Sequence, residues 1–222
     1  MQSIKPKWIK RIFVLILVIF ISYILYLNSL VKSQFSSEIE VKDNVIQVQN
    51  LIDDYPKELI NMLLLVEDQS FFNHKGVDFK EILRVLYGYL FEEKELRGAS
   101  TITQQLIKNT LLSSDKTLAR KTDEALMAIL MEMSYDKNFI LERYMNTVYL
   151  AQQGSTAIHG FASGSLHYFD KDVESLNLEE IATLVALLKG PSYYNPVNSP
   201  ERLSRRVEMI LSMHKNYKKI IQ

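Results

Sequence analysis

The sequence has 222 residues, balanced charge and no cysteine, and these properties already exclude several classes of protein. The 26 basic and 26 acidic residues cancel, so the chain lacks the basic surplus of a nucleic-acid-binding domain and we expect no nucleic-acid partner. Without cysteine it can form neither disulfides nor thiolate metal sites. Seven glycines and five prolines, among abundant leucine and isoleucine, favour a mainly α-helical body.

The N-terminal region predicts a single membrane-spanning helix. Residues 12–31 contain no charged side chain, and about 20 apolar residues are enough to cross the hydrocarbon core of a bilayer as a helix. A signal peptide would have a shorter apolar core and a small-residue cleavage site, which we do not find. A basic tail at residues 1–11 precedes the helix, and Glu38 and Glu40 follow it. The positive-inside rule therefore predicts a cytoplasmic N-terminus and an extracytoplasmic body.

The remainder is predicted as an extracytoplasmic linker at residues 32–50 and one helical domain at residues 51–222. Partial alternation of β-branched residues predicts short strands between residues 39 and 48. From residue 51 onward every segment is predicted as helix, and first-turn or capping residues mark the helix starts. These residues are, in chain order, Pro56, Asp78, Ser100, Asn138, Asn177 and Ser199.

Glu67 is the first candidate for chemistry, because it continues an apolar stripe. Ile60, Leu63 and Leu64 precede it at helical spacing, so the carboxylate occupies a position where a core residue is expected. A carboxylate that is partly removed from water becomes a better base near neutral pH. The alternative is a buried carboxylate satisfied by a helix N-terminus or by His74, and the residues alone leave both interpretations open.

Glu124 is a second candidate carboxylate, in a predicted helix at residues 118–133. The apolar face of this helix is predicted to consist of Leu126, Ile129, Leu130 and Met133. Glu124 points away from that face, on the side of Arg120, Lys121 and Ala128. This side is either a solvated surface with intrahelical ion pairs, or the wall of a cleft whose cations hold an anionic substrate.

The segment RGASTITQQLIKN predicts an anion-binding or sugar-binding helix start. Ser100 and Thr101 begin the helix, where free backbone N–H groups and the helix dipole favour anions. Gln104 and Lys108 follow one and two turns later. A capped surface helix has the same pattern, so this segment also leaves two interpretations.

Five segments resemble, in order, the five motifs of the family 51 peptidoglycan glycosyltransferases. They are EDQSFFNHKGVD, RGASTITQQLIKN, RKTDEALMAILME, ILERYMNTVYL and EEIATLVALLKGPSYYNP, and they cover most of residues 59–196. This family forms the glycosyltransferase module of bifunctional penicillin-binding proteins and also occurs as monofunctional enzymes. Because the sequence ends soon after the fifth segment, we expect the monofunctional type or a truncated bifunctional one. The resemblance implies a mainly α, lysozyme-like fold with an N-terminal transmembrane helix.

The resemblance implies polymerisation of lipid II. MurNAc C1 of the growing chain would be joined to the GlcNAc 4-hydroxyl of the incoming molecule, with inversion and release of undecaprenyl pyrophosphate. By motif position, Glu67 is the expected base and Glu124 the second carboxylate, on the pyrophosphate side. Lys108, Arg120 and Lys121 are expected to neutralise the pyrophosphate. A divalent cation, Mg²⁺ or Mn²⁺, could assist there, with Glu124 as the one candidate protein ligand.

The resemblance also implies further substrate-binding residues and partners. These residues are Asp68, Phe71, His74, Ser100, Thr101, Gln104, Gln105, Asn109, Asn146 and Tyr149. The expected partners are lipid II, the nascent glycan strand, the lipid bilayer and other cell-wall synthesis proteins, at the bacterial cytoplasmic membrane. The segment ILRVLYGYLF could form the hydrophobic lobe with which this family contacts the bilayer, or an ordinary core helix. No HExxH or similar cluster occurs, so no zinc site is expected.

Two other functions compete with this interpretation. Two carboxylates also suit hydrolysis, so a glycan-cleaving enzyme on the same scaffold is one alternative. A non-enzymatic scaffold that recruits cell-wall synthesis proteins is the other. The cations beside Glu124 and the predicted anchor favour a donor linked to a lipid through pyrophosphate.

Overall fold

The protein is represented by a computed structural model that describes residues 7–36, 45–92, 98–113 and 115–217. The described α-helices are α1 (Lys7–Phe35), α2 (Lys57–Glu67), α3 (Phe79–Phe91), α4 (Ile102–Leu111), α5 (Leu118–Ser134), α6 (Lys137–Thr147), α7 (Phe161–Phe169), α8 (Leu178–Leu187) and α9 (Pro200–Asn216). The described strands are β1 (Val45–Gln47), β2 (Tyr149–Gln153) and β3 (Thr156–His159). Most of the predicted basic tail and residues 37–44 of the predicted linker lie outside the described residues.

The N-terminal helix α1 is long and apolar enough to cross a membrane. Its first two-thirds is largely exposed, whereas Leu27, Val31 and Phe35 are buried in the main hydrophobic core. These residues belong to the part of the helix that packs on α4 and α5, and the Tyr23 hydroxyl donates a hydrogen bond to Asp123 on α5. The helix continues past the predicted end at residue 31, and its last turns are part of the domain core.

Helix α2 lies at the centre of the domain. Its residues 59–65 are all buried, and it packs on α8 and α9. A helix that is apolar on all sides must be surrounded by other elements, which is the position that α2 occupies. Helix α4 packs in turn on α5 and α6. Glu67 is therefore the last residue of a buried helix, at the point where the chain leaves the core.

Side-chain caps mark the starts of α3, α4, α5, α6 and α8, and two of these caps differ from the sequence prediction. The predicted N-caps of α3 and α8 are confirmed at Asp78 and Asn177. Helix α4 is capped by Thr101 and not by Ser100. Thr101 Oγ1 accepts from the Gln104 backbone N–H, and the Thr101 backbone N–H donates to the Gln104 side-chain Oε1. Helix α6 is capped by Asp136 and not by Asn138.

A small sheet is the element that the sequence patterns did not predict in full. Strands β2 and β3 form an antiparallel hairpin, and β1 pairs in parallel with β3, in the order β1-β3-β2. The strand β1 lies within the stretch predicted to contain short strands. The hairpin was predicted as helix, although Gly154 and Ser155 between its two strands are a hairpin signal.

Candidate active site

Glu67 lies at the edge of a pocket of about 460 Å³. Its Oε2 accepts a hydrogen bond of 2.9 Å from Gln105 Nε2 on α4, and no described residue donates to its Oε1. Other residues that line the pocket include Asp68, Asp78, Arg84, Ser100, Thr101 and Met213. Glu67 is half-buried. The carboxylate that ends the apolar stripe therefore has one oxygen held by Gln105, and its other oxygen has no donor among the described residues.

Glu124 is buried, with 1% of its surface exposed. Its Oε2 accepts a hydrogen bond of 2.8 Å from Arg120, and its Oε1 accepts from Lys121 and, at 3.3 Å, from Gln104 Nε2. A carboxylate is stable out of water when cations and amide donors surround it, as they do here. The Arg120 and Lys121 side chains are 17% and 46% exposed, so they lie between Glu124 and solvent.

The solvated-surface interpretation of Glu124 is wrong, and the predicted apolar face of α5 is correct only in part, since Leu126 and Leu130 pack against the core but are only partly buried. The buried residues of α5 are Glu124, Met127, Ala128 and Met131, whereas Met133 is 77% exposed. Helix α4 packs on α5 and brings Gln104 to Glu124. The predicted face was defined by apolar side chains, but packing against a polar helix start buries a different side.

Helix α4 connects the two carboxylates through consecutive glutamines. Gln104 donates to Glu124 and Gln105 donates to Glu67. Consecutive Cα atoms are only about 3.8 Å apart, so both carboxylates contact the same turn of α4. The capping box at Thr101 fixes that turn, so one turn of α4 holds two carboxylates that have different surroundings.

Asp68 and His74 are both buried behind this turn, and Asp68 also lines the pocket of Glu67. Asp68 Oδ2 accepts from the Ile102 amide at 2.9 Å, and His74 Nε2 lies 3.0 Å from the same oxygen. Both side chains are buried, at 7% and 8% exposure. Asp68 therefore binds the N-terminus of α4, where the dipole favours a negative charge.

A buried ion pair that the sequence did not single out supports His74. Glu132 Oε1 lies 3.6 Å from His74 Nδ1 and accepts hydrogen bonds from Thr103 Oγ1 at 2.6 Å and Lys137 Nζ at 2.7 Å. Burial lowers the pKa of Lys137, and the bond to Glu132 opposes that change. Lys137 also lies 4.3 Å above the ring of the buried Phe71. Glu132 follows Glu124 and Ala128 at four-residue spacing, which is a signal that could have revealed it.

Asp78 contributes a carboxylate to the same pocket as Glu67. Burial alone would raise the pKa of Asp78, but hydrogen bonds from Ser70 Oγ and from the Glu81 amide outweigh burial, and the pKa lies below the ordinary value of 3.8. This carboxyl is therefore ionised at neutral pH and holds the N-terminus of α3.

Four of the predicted site residues lie away from these contacts. Lys108 and Asn109 are exposed on α4, and Tyr149 packs edge-on against His159 in the sheet. Asn146 is 2% exposed. Its Nδ2 donates to the Asn50 carbonyl, and its Oδ1 accepts from the Asn50 backbone N–H and from the Tyr55 hydroxyl. The expectation that Asn146 binds substrate is not supported by this position, because its hydrogen-bonding groups are satisfied inside the protein. Ser100, by contrast, lines the pocket and accepts a hydrogen bond of 2.8 Å from Lys121.

The described residues do not form a cation site by themselves. No three His, Asp or Glu side chains among them converge in a way that could hold a metal ion. Both oxygens of Glu124 already accept from Arg120, Lys121 and Gln104. These donors occupy the positions that a cation would need, so the arrangement around Glu124 does not fit a metal ion.

The sequence model of the family described as Transglycosylase matches residues 33–215. The chain belongs to the transglycosylase family. The matched region contains both carboxylates, the whole of α4 and the last three residues of α1. It confirms the resemblance stated from the five motifs, and with it the mainly α, lysozyme-like fold.

Curated relatives of this transglycosylase include several penicillin-binding proteins. The chain is 41% identical over 178 residues to penicillin-binding protein 1B of Haemophilus influenzae, which covers 80% of this chain and 23% of the relative. It is 44% identical over 161 residues to penicillin-binding protein 1B of Vibrio cholerae (72% and 21%) and 43% identical over 159 residues to that of Escherichia coli (72% and 19%). The chain thus spans about a fifth of the length of the curated relatives it matches.

Proposed function

We propose that this chain is a membrane-anchored peptidoglycan glycosyltransferase that polymerises lipid II into β-1,4 glycan strands. The observation that carries the proposal is the pair Glu67 and Glu124, held by consecutive glutamines of α4 in a transglycosylase. One carboxylate is half-buried at a pocket, and the other lies beneath two cations. An inverting displacement at an anomeric carbon requires a base for the acceptor hydroxyl and stabilisation of the leaving group on the opposite face, and these two environments can supply them.

Glu67 acts as the general base in this proposal. Its Oε1 accepts the proton of the GlcNAc 4-hydroxyl while that oxygen attacks MurNAc C1 from the face opposite the leaving group. The bond from C1 to the pyrophosphate oxygen breaks, the configuration inverts, and undecaprenyl pyrophosphate leaves with the bonding electrons. Gln105 holds Oε2 at 2.9 Å, which keeps the carboxylate in one orientation during proton transfer.

Arg120 and Lys121 stabilise the departing pyrophosphate. The exposed parts of these two side chains can reach a ligand. Glu124 beneath them fixes their direction and, because it is buried, does not present its negative charge to the ligand. Preorganised cations of this kind act where charge develops in the transition state. Lys108 is exposed about two turns into α4, and its role as a third cation for the same group stays a prediction from motif position. Glu124 thus works through its two cations and not by direct contact with the sugar.

The membrane part of the proposal rests on two apolar helices. Helix α1 anchors the protein in the bacterial cytoplasmic membrane with its N-terminus in the cytoplasm. Helix α3 exposes eight large apolar residues, among them Leu83 at 66% and Phe91 at 71%, and we propose that it lies against the bilayer from which the lipid substrate comes. This favours the hydrophobic-lobe interpretation of α3 over the core interpretation. Interaction with other cell-wall synthesis proteins stays a prediction.

The test is an assay of the detergent-solubilised chain with lipid II and, separately, with preformed glycan. We expect polymer from lipid II, a kcat/KM about 10²-fold lower in Arg120→Ala, and an unchanged rate in Arg202→Ala, which removes an exposed arginine stacked on Tyr193. Each reaction is run with EDTA, Mg²⁺ and Mn²⁺ to measure any metal dependence. Shortening of preformed glycan without polymer formation would establish the hydrolase alternative. Folded protein that does neither would overturn both enzymatic proposals.

A further inference from the structure

The amide of Gln105 has two neighbours, and one of them has no assigned role. Its Nε2 donates to Glu67 Oε2 at 2.9 Å, and its Oε1 accepts from the Tyr144 hydroxyl at 3.0 Å. Tyr144 lies on α6, which packs on α4, and it is 1% exposed. The three groups form a chain from the interior of the protein to the pocket.

The orientation of the Gln105 amide between Tyr144 and Glu67 follows from which of these two groups donates and which accepts. An ionised carboxylate only accepts hydrogen bonds, so Glu67 selects the NH₂ end of the amide. The C=O end of Gln105 then needs a donor, and the phenol of Tyr144 supplies it. Burial raises the pKa of Tyr144 well above its ordinary value, and the charges of Glu67 and Asp68 raise it further, so this phenol keeps its proton and remains a donor.

We propose that Tyr144 is a positioning residue that fixes the Gln105 amide with its N–H groups toward Glu67. This inference rests on the proposed role of Glu67 as the base. Without the hydroxyl, the carbonyl oxygen of Gln105 has no donor, and the amide can rotate so that it no longer donates to Glu67. Because a donor stabilises the ionised form of a carboxyl, its loss favours the protonated form, which cannot act as a base.

The test is the pH dependence of kcat/KM for lipid II polymerisation, whose acidic limb reports the essential base of the free enzyme. Other titratable groups that line the pocket of Glu67 are Asp68, Asp78, Lys80, Glu81 and Arg84. All of them are unchanged in Tyr144→Phe, so the difference from wild type isolates the hydroxyl. We expect the limb to move upward by about half a pH unit to one unit, which lowers kcat/KM on the limb by roughly three- to tenfold.

Tyr55→Phe is the matched control. Tyr55 is a buried tyrosine at 3% exposure whose hydroxyl donates to Asn146 and not to the site. It loses the same hydroxyl, and its acidic limb should coincide with that of wild type. If Tyr144 has only a structural role, Tyr144→Phe should have a lower rate but an acidic limb at the same pH as that of Tyr55→Phe. That result would overturn the inference.

Two further variants keep the test decisive. In a Gln105→Ala background, Tyr144→Phe should cause no additional shift, because the amide through which it acts is gone, and a further shift would refute this route. If Tyr144→Phe folds poorly, Gln105→Ala tests the same route from the pocket side, because it removes the donor to Glu67 directly and its limb should move upward at least as far. Absence of polymer from wild type would refute the proposed function. Polymer with an unmoved limb in Tyr144→Phe would refute only the role of Tyr144.

Discussion

Replacement of Gly76 by alanine should break the contact between the loop that precedes α3 and helix α5. Gly76 has φ +85°, and a Cβ added to it would lie 2.5 Å from the carbonyl carbon and oxygen of Ala128. Its carbonyl also accepts a hydrogen bond of 2.6 Å from Thr101 Oγ1, the residue that caps α4. A shift at Gly76 is therefore transmitted to the helix that holds Glu67 and Glu124.

The size of the effect follows from the geometry. Relief of the overlap to an ordinary contact of 3.4 Å requires a backbone movement of about 1 Å, and forced insertion of this kind costs about 1–3 kcal/mol. The positive φ adds about 1–2 kcal/mol for a residue with a Cβ. The sum, about 2–5 kcal/mol, corresponds to a fall in Tm of roughly 10 °C for a chain of this size. If α4 holds the proposed base, a displacement of about 1 Å at this helix should lower kcat by about 10²-fold.

Two other glycines provide the controls in a thermal unfolding assay by circular dichroism. Gly154 has φ +60° with no atom within 4 Å of an added Cβ, so Gly154→Ala measures the backbone contribution alone. Gly98 has no positive φ and equally open space, so Gly98→Ala should leave Tm unchanged. The reasoning is refuted if Gly76→Ala unfolds within about 2 °C of Gly154→Ala.

Three further predictions follow from the site. Asn146→Ala should lower the free energy of unfolding by about 2–4 kcal/mol, because it leaves the buried partners of Asn146 unsatisfied. The KM for lipid II should stay at the wild-type value. A raised KM with normal stability would instead indicate that Asn146 binds substrate. Glu124→Gln should lower kcat/KM by about 10²–10³-fold through loss of the charge that aligns Arg120 and Lys121, and a rate within twofold of wild type would contradict that role. The folded-state pKa of Asp78 is depressed, so its ionised form stabilises the protein above pH 3.8. The difference in free energy of unfolding between wild type and Asp78→Ala should therefore shrink as pH falls through the folded-state pKa. Urea denaturation series that give a constant difference from pH 7 to pH 2 would exclude this.

Local sequence patterns were sufficient for part of this account. The stripe of α2 identified Glu67 because helical spacing is a property of neighbours in the chain. The caps at Asp78 and Asn177 were predictable for the same reason. The motif resemblance extended this to Glu124 and the glutamines of α4, although their contacts with each other follow only from the packing of α4 on α5.

Other features depend on contacts between distant residues and could not be predicted locally. Asn146 bonds Asn50, which lies 96 residues earlier in the chain, and Tyr144 bonds Gln105, 39 residues earlier. The burial of Glu124 depends on α4, since the apolar residues of α5 indicated a different face. In each case a polar side chain is buried because another helix supplies its partner, which hydrophobic periodicity does not report.

Glu67 is the proposed base of a lipid II polymerase. The most direct test of this role is the initial rate of polymerisation by Glu67→Gln, beside Glu180→Gln, which neutralises a carboxylate in the surface pair with Lys171. Since general-base catalysis contributes about 10²–10⁴-fold, we predict a loss of that size in Glu67→Gln and a rate within about twofold of wild type in Glu180→Gln. A folded Glu67→Gln protein that polymerises lipid II at a rate close to that of wild type would contradict the account.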